Sequence, residues 1–162
     1  MRNERFCETV RSARNRSMKA LVQRVVEARV EVDGQVVGAI SQGMLVLIGI
    51  DAHDNQDSVK KLSDKLLKYR IFADDSGKMN LNVQQINGQL LLVSQFTLSA
   101  DTHKGLRPGF SSAATPEQGR ELFDYACQYI KNQRPDTQMG VFGADMQVFL
   151  QNDGPVTFLL EN

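Results

Sequence analysis

Two short stretches, 44–50 and 90–93, limit what this chain can fold into. Met44, Leu45, Val46, Leu47, Ile48 and Ile50 are apolar at nearly every position, and so are Leu90, Leu91, Leu92 and Val93. In a strand, successive side chains point to opposite faces, so such runs must be covered on both sides. The chain therefore needs a central sheet with material packed above and below it. At 162 residues it is long enough to supply one domain with a proper core.

The second run stops abruptly. It is followed by Ser94-Gln95-Phe96-Thr97-Leu98, which offers a hydroxyl, an amide and a second hydroxyl. Polar groups at the exit of a buried strand cost desolvation unless they are bonded or used. Read locally, Ser94 and Thr97 bond neighbouring backbone as the strand turns. Read functionally, the strand, taken as residues 90–97, ends in a reactive site.

The rest of the pattern is mostly strands with two inserted helices. Residues 20–26 alternate as a first strand, and Asp33-Gly34 between Val30, Val32 and Val36 marks a two-residue hairpin. Gln42-Gly43 precedes the first buried run, and 51–57 is a polar loop. A helix opens at Asp57 or Ser58 with Val59, Leu62, Leu66 and Tyr69 on one face. Lys61, Lys65 and Lys68 form a separate stripe, either a solvated surface or a phosphate-contacting face. After the loop 73–78, Asn87-Gly88 gives a second hairpin signal. The polar stretch 99–114 is long for a connection, and such loops are more often functional than decorative.

Thr115-Pro116 starts a second helix, with Gln118 completing a capping box. Its inner face carries Leu122, Phe123, Ala126, Tyr129 and Ile130. Strands over 138–142 and 146–151 follow, joined by Gly143-Ala144-Asp145. Asn152-Asp153-Gly154-Pro155 reads as a tight turn before a last strand from Val156. The expected class is α/β: a strongly curved, barrel-like mixed sheet with two main helices packed on one side.

Composition excludes several functions. Formal net charge is zero, so no global field selects nucleic acid. Residues 1–17 hold five arginines against two glutamates, +3, which leaves −3 on the remainder. That segment lacks apolar periodicity and a signal-peptide core, and reads as a disordered extension before a domain spanning 18–162. No apolar run approaches the ~20 residues of a membrane helix. Cys7 and Cys127 give no metal or disulfide spacing, and a reducing cytoplasm is expected. His53 and His103 are too few and too isolated for a zinc site. No P-loop, dinucleotide fingerprint or nucleophile elbow is present.

Thr97 thus lacks an obvious base, and a bare hydroxyl is a weak nucleophile. What the strand end offers without a base is backbone: the N–H groups of Phe96 and Thr97 could hold an oxyanion in acyl transfer. Gly154-Pro155 is the second candidate, because an X-Pro bond can be cis and a rigid turn fixes the direction of two carbonyls.

Taken together these motifs resemble the D-aminoacyl-tRNA deacylase family, also called D-tyrosyl-tRNA deacylase. The resemblance rests on Ser94-Gln95-Phe96-Thr97-Leu98 and Asn152-Asp153-Gly154-Pro155-Val156-Thr157, with Gly105-Leu106-Arg107-Pro108 and Lys78-Met79-Asn80-Leu81-Asn82-Val83 as further matches. It covers Met18 to the C-terminus and departs at Gly109, where relatives carry serine. The resemblance implies a homodimer with its site at the subunit interface. It implies no cofactor and no metal.

It also implies hydrolysis of the ester at the 3′ terminal adenosine of D-aminoacyl-tRNA, and of glycyl-tRNA mischarged on tRNA-Ala. Ser94, Gln95, Phe96 and Thr97 would be catalytic. A cis Gly154-Pro155 would reach into the partner's pocket and reject L-amino acids. Lys104 and Arg107 would contact tRNA. Either the Thr97 hydroxyl is the nucleophile or the terminal ribose 2′-hydroxyl activates water. Three rivals are an editing module for an L-aminoacyl-tRNA on the same fold, a non-enzymatic tRNA-binding module, and a generic threonine hydrolase of small esters.

Overall fold

The structure, a computed structural model, describes residues 17–162. The reading of 1–17 as an extension, and Cys7 with it, falls outside the described residues except for Ser17, whose hydroxyl donates to the Asn162 carbonyl.

A long first strand, β1 (Lys19–Val32), organises the sheet. Along one edge it pairs antiparallel with β8 (Gln147–Glu161) over nearly its whole length. Along its other edge the first half of β1 pairs with β3 (Gly43–Gly49) and the second half with β2 (Gln35–Ile40). β3 continues the sheet in parallel to β6 (Gln89–Ser94), and β6 in parallel to β7 (Gln138–Met139). Two short strands, β4 (Phe72–Ala73) and β5 (Met79–Leu81), form a separate ribbon.

The two apolar runs become β3 and β6, and the faces of the sheet divide as their composition requires. Met44, Val46, Ile48, Leu90 and Leu92 pack with α1 (Gln56–Lys68) and α2 (Pro116–Gln133). Leu45, Leu91 and Val93 face the opposite way, onto Val25, Ala28, Val30 and Ile40. The second half of β1 therefore curls with β2 over the face of β3 and β6 that the helices leave open. The result is the expected curved mixed sheet with both helices on one side.

The Asp33-Gly34 hairpin forms with both residues at positive φ, 50° and 76°, the geometry of a type I′ turn. α1 starts earlier than its apolar face indicates: Asn55 is the cap, and Asn55 and Ser58 close a reciprocal capping box. Thr115 caps α2 as expected, but the Gln118 amide donates instead to the carbonyls of Ala52 and Asp54. Lys61, Lys65 and Lys68 lie exposed on α1, the solvated stripe.

Four expectations are corrected. Asn87-Gly88 does turn, with Asn87 at φ 52°, but closes no hairpin, because β6 finds its partners in parallel β3 and β7. β6 ends at Ser94 rather than continuing to residue 97, and a 3₁₀ turn (Phe96–Ser99) follows. The strand expected over 138–142 is confined to Gln138–Met139, and Asn152-Asp153-Gly154-Pro155 is not a turn between two strands but an outward bulge inside the single strand β8. There β1 advances from Gln23 to Val25 while β8 runs from Thr157 back to Asn152. The continuous pairing to β1 on either side holds β8 together where its local sequence favours a reversal.

Candidate active site

Where β6 ends, the backbone changes its hydrogen-bonding duty. Gln95 N–H still donates to the Ile48 carbonyl at 2.7 Å, the last rung toward β3. The next bond is Leu98 N–H to the Gln95 carbonyl, which begins the 3₁₀ turn. Between them, the N–H groups of Phe96 and Thr97 are the orphaned donors of a helical first turn.

The turn is pinned from several sides. Ser99 Oγ donates to the Ile50 carbonyl, Ser112 Oγ donates to the Ser99 carbonyl, and Lys19 Nζ donates to the Leu98 carbonyl. Gly49 allows the close approach: a Cβ there would stand 2.8 Å from Leu98 Cβ and 3.2 Å from the Gln95 carbonyl oxygen.

The strand end forms the floor of a cavity of about 470 Å³. Ser94, Gln95 and Phe96 line it together with Ile48, Ile50 and Val93. Its far wall is the start of α2, Ala114 to Pro116, and the segment Phe142, Gly143, Ala144, Asp145 and Met146. Sequence reading missed this wall, because 143–145 looked like a plain connection between strands. Phe142 packs on Phe123 of α2, with the Arg120 guanidinium 4.9 Å from its ring centroid, and this fixes the wall against the helix. The site is thus mainly apolar with a few polar groups at one end, the usual build of a small-molecule pocket.

Thr97 is exposed and does not line the cavity. Its hydroxyl accepts a hydrogen bond from the Gln95 side-chain amide. An amide N–H donates and takes up no proton, so this contact supplies no general base. His53 and His103 are exposed and stand apart from the cavity. Among the described residues, no group of three or more histidine, cysteine, aspartate or glutamate side chains is placed to hold a metal ion.

The groups with displaced titration also lie elsewhere. Hydrogen bonds from Asn80 and Ser76 hold Asp74 down to about 2 in the loop between β4 and β5. Burial pushes the Cys127 thiol up to about 12 inside α2. The hydrogen bond to Asp64 raises the Tyr129 hydroxyl.

The second candidate is built just as firmly but faces outward. The Gly154-Pro155 peptide bond is cis, and both residues are exposed. Asn152 clamps the bulge: its Oδ1 accepts from Val156 N–H at 2.7 Å and its Nδ2 donates to Thr157 Oγ1. Arg24 holds it to the sheet, donating through Nε to the Asp153 carbonyl and through Nη1 to the Ile71 carbonyl, both at 2.9 Å. Gly154 sits at φ 139°, where a Cβ would come within 2.7 Å of Val156 Cγ2.

One chain does not bring the two candidates together. Ser94 is level with Ile48 and so with Ala20 of β1, whereas the bulge stands opposite Arg24. Four residues along a strand separate them by about 13 Å, before the lateral offset across the intervening β3 and β1 is added.

Lys104 and Arg107 also stay off the cavity. They are exposed on the excursion 102–108, which is clipped at its base by paired bonds between Asp101 and Gly109. A Cβ at Gly109 would meet only ordinary contacts at 3.8 Å, so the position has room for a serine.

Known proteins resemble this chain in sequence and fold. Residues 21–161 match the family model described as D-Tyr-tRNA(Tyr) deacylase. A "D-aminoacyl-tRNA deacylase" of Stutzerimonas stutzeri (strain A1501) is 59% identical over 145 residues, 90% of this chain and 100% of that protein. One of Legionella pneumophila (strain Lens) is 57% identical over 144 residues, 89% of this chain and 99% of that protein. Among solved structures, "c-Myc DNA Unwinding Element Binding Protein" superposes with a TM-score of 0.85 at 41% identity, covering 89% of this chain and 98% of that one. A structure described as "a probable eukaryotic D-amino acid tRNA deacylase" superposes with a TM-score of 0.81 at 15% identity, over 90% of this chain and 99% of that one, a likeness of fold alone. With the family model spanning 21–161 and identities near 58% over almost the whole of the relatives, the chain belongs to the D-Tyr-tRNA(Tyr) deacylase family.

Proposed function

We propose that this chain hydrolyses the ester of D-aminoacyl-tRNA, releasing a free D-amino acid and tRNA, with glycyl-tRNA as a further substrate. The observation that carries the reading is the pair of orphaned N–H groups, Phe96 and Thr97, beside an apolar cavity sized for a nucleoside with a small ester. The terminal adenosine occupies the cavity, with its base toward Phe142 and Met146. The ester carbonyl points at the two N–H groups.

Water attacks the carbonyl carbon, and the developing oxyanion is held by main-chain donors that need no reorganisation. The ribose 2′-hydroxyl accepts the water proton and relays a proton to the departing 3′ oxygen as the acyl C–O bond breaks. The Gln95 amide on Thr97 Oγ1 supports this RNA-assisted route over a threonine nucleophile, because no proton acceptor stands by that hydroxyl.

The selectivity element comes from a second copy. Gly154 and Pro155 are exposed and displaced from the cavity of their own chain, and β8, paired only with β1 among the described residues, carries a part-exposed apolar strip along its free edge at Val148, Phe149 and Leu150, the side chains alternating between its faces and Val148 lining the cavity. Such a strip suits burial against another protomer. In a two-fold dimer the turn of one chain roofs the cavity of the other. Its carbonyls meet the substrate amino group and leave no room for an L-side chain, which is selection by exclusion. Glycine, lacking a side chain, passes.

The test is deacylation of matched D- and L-tyrosyl-tRNA by the purified protein. Rapid release from the D-ester alone is expected. Preferential release from the L-ester would assign an editing role on this fold, and salt-sensitive tRNA binding without cleavage would assign a binding module.

A further inference from the structure

Phe96 does two things at once. It lines the cavity, yet 63% of its surface is exposed. Its ring meets Phe110 at a centroid distance of 5.3 Å and a tilt of 51°, and Phe110 is itself 42% exposed. Two aromatic rings are thus held in mutual contact, facing water at the edge of the cavity. Phe110 directly follows the clipped excursion, whose tip presents the fully exposed Leu106 between Lys104 and Arg107. The one acidic group at its base, Asp101, already accepts a hydrogen bond from His103 N–H.

Exposed aromatic rings beside basic side chains are the combination that binds single-stranded nucleic acid, through base stacking and phosphate contact. We propose that the Phe96–Phe110 pair is a stacking platform for the nucleotides preceding the terminal adenosine, with Lys104 and Arg107 taking their phosphates. The proposal rests on the deacylase reading, and it is continuous with it: a chain whose last base fills the cavity must leave over the Phe96 edge. It adds a binding site for unpaired 3′-end bases, recognised by their π-faces and so independent of base identity.

The experiment compares D-tyrosyl-tRNA with D-tyrosyl-adenosine, an ester that lacks the preceding nucleotides. For Phe110→Ala, the ratio of kcat/KM on the tRNA to that on the adenosine ester is expected to fall roughly tenfold, through KM, the size of one lost base–aromatic contact. Phe110→Tyr keeps the ring and should restore the ratio. Equal losses on both substrates, or no change in the ratio, would overturn the platform. So would a fall in the ratio that accompanies dissociation of a dimer by mass measurement, since Phe110 would then be a subunit contact. An inactive wild-type chain on both substrates would overturn the deacylase reading and the platform with it, a result distinct from a ratio that simply does not move.

Discussion

The end of β6 and the bulge of β8 are both places where a strand abandons its ladder, and they do so in opposite ways. At Ser94 the ladder stops, and the N–H groups of Phe96 and Thr97 are left without a backbone partner at the edge of a cavity that Phe96 lines. At Gly154-Pro155 the ladder is interrupted, and the loosened backbone is bonded again at once, by Asn152 and Arg24. The first region keeps main-chain donors unspent. The second spends side chains to make a rigid projection. In the proposed two-fold dimer, this floor and this projection are the complementary halves of one site.

The comparison can be broken most sharply at the floor. Phe96→Pro removes one of the two N–H groups at the first position of the 3₁₀ turn, where proline is tolerated. We expect kcat on D-aminoacyl-tRNA to fall by roughly 10²–10³ relative to Phe96→Ala, which loses the ring but keeps the donor. Thr97→Ala, by contrast, should stay within about threefold of the wild type, because its hydroxyl has no base to activate it. Near-complete loss in a folded Thr97→Ala protein would restore the threonine nucleophile.

At the projection, Gly154→Ala places a Cβ at φ 139° against Val156. Thermal unfolding should show a loss of about 1–3 kcal/mol, and D-over-L discrimination should drop about tenfold as the turn shifts. Unchanged discrimination would mean that the turn does not read chirality.

The smallest effect concerns neither half. Cys127 is buried on α2 with its pKa raised from 9.0 to about 12, chiefly by desolvation. Its protonated form is favoured in the folded chain, so this contribution to stability is complete below pH 9 and is lost as pH rises toward 12. At pH 8 the native thiol should resist alkylation and react only on unfolding. Fast labelling in the native state would place Cys127 in an opening region of the helix.

The two regions also differ in how far the sequence revealed them. Residues 90–93 are apolar at every position, and only a strand covered on both faces satisfies that, so the core was legible locally, whereas the strand end was placed at residue 97 and falls at Ser94. Asn152-Asp153-Gly154-Pro155 carries turn chemistry at every position, and the sequence reading made it a turn between two strands. Continuous pairing with β1, a contact more than a hundred residues distant, overrides it. The same limit hid the parallel pairing of β3 and β6 and the cavity wall at Phe142 and Met146, which no local pattern joins to Ser94. Family motifs pointed to both halves of the site. The resemblance implied that the two lie apart within one chain, and the register supplies the distance.

That separation is the central claim, and mixed dimers test it directly. Phe96→Pro disables the floor of one chain. Gly154→Phe plants a bulky side chain in the projection that roofs the other. Each homodimer should be nearly inactive on D-tyrosyl-tRNA. A mixed dimer regains one intact site, formed by the floor of the Gly154→Phe chain and the turn of the Phe96→Pro chain, so statistical mixing should recover about a quarter of wild-type activity. No recovery, in a sample where mass measurement shows that mixed dimers have formed, would contradict a site shared between two copies.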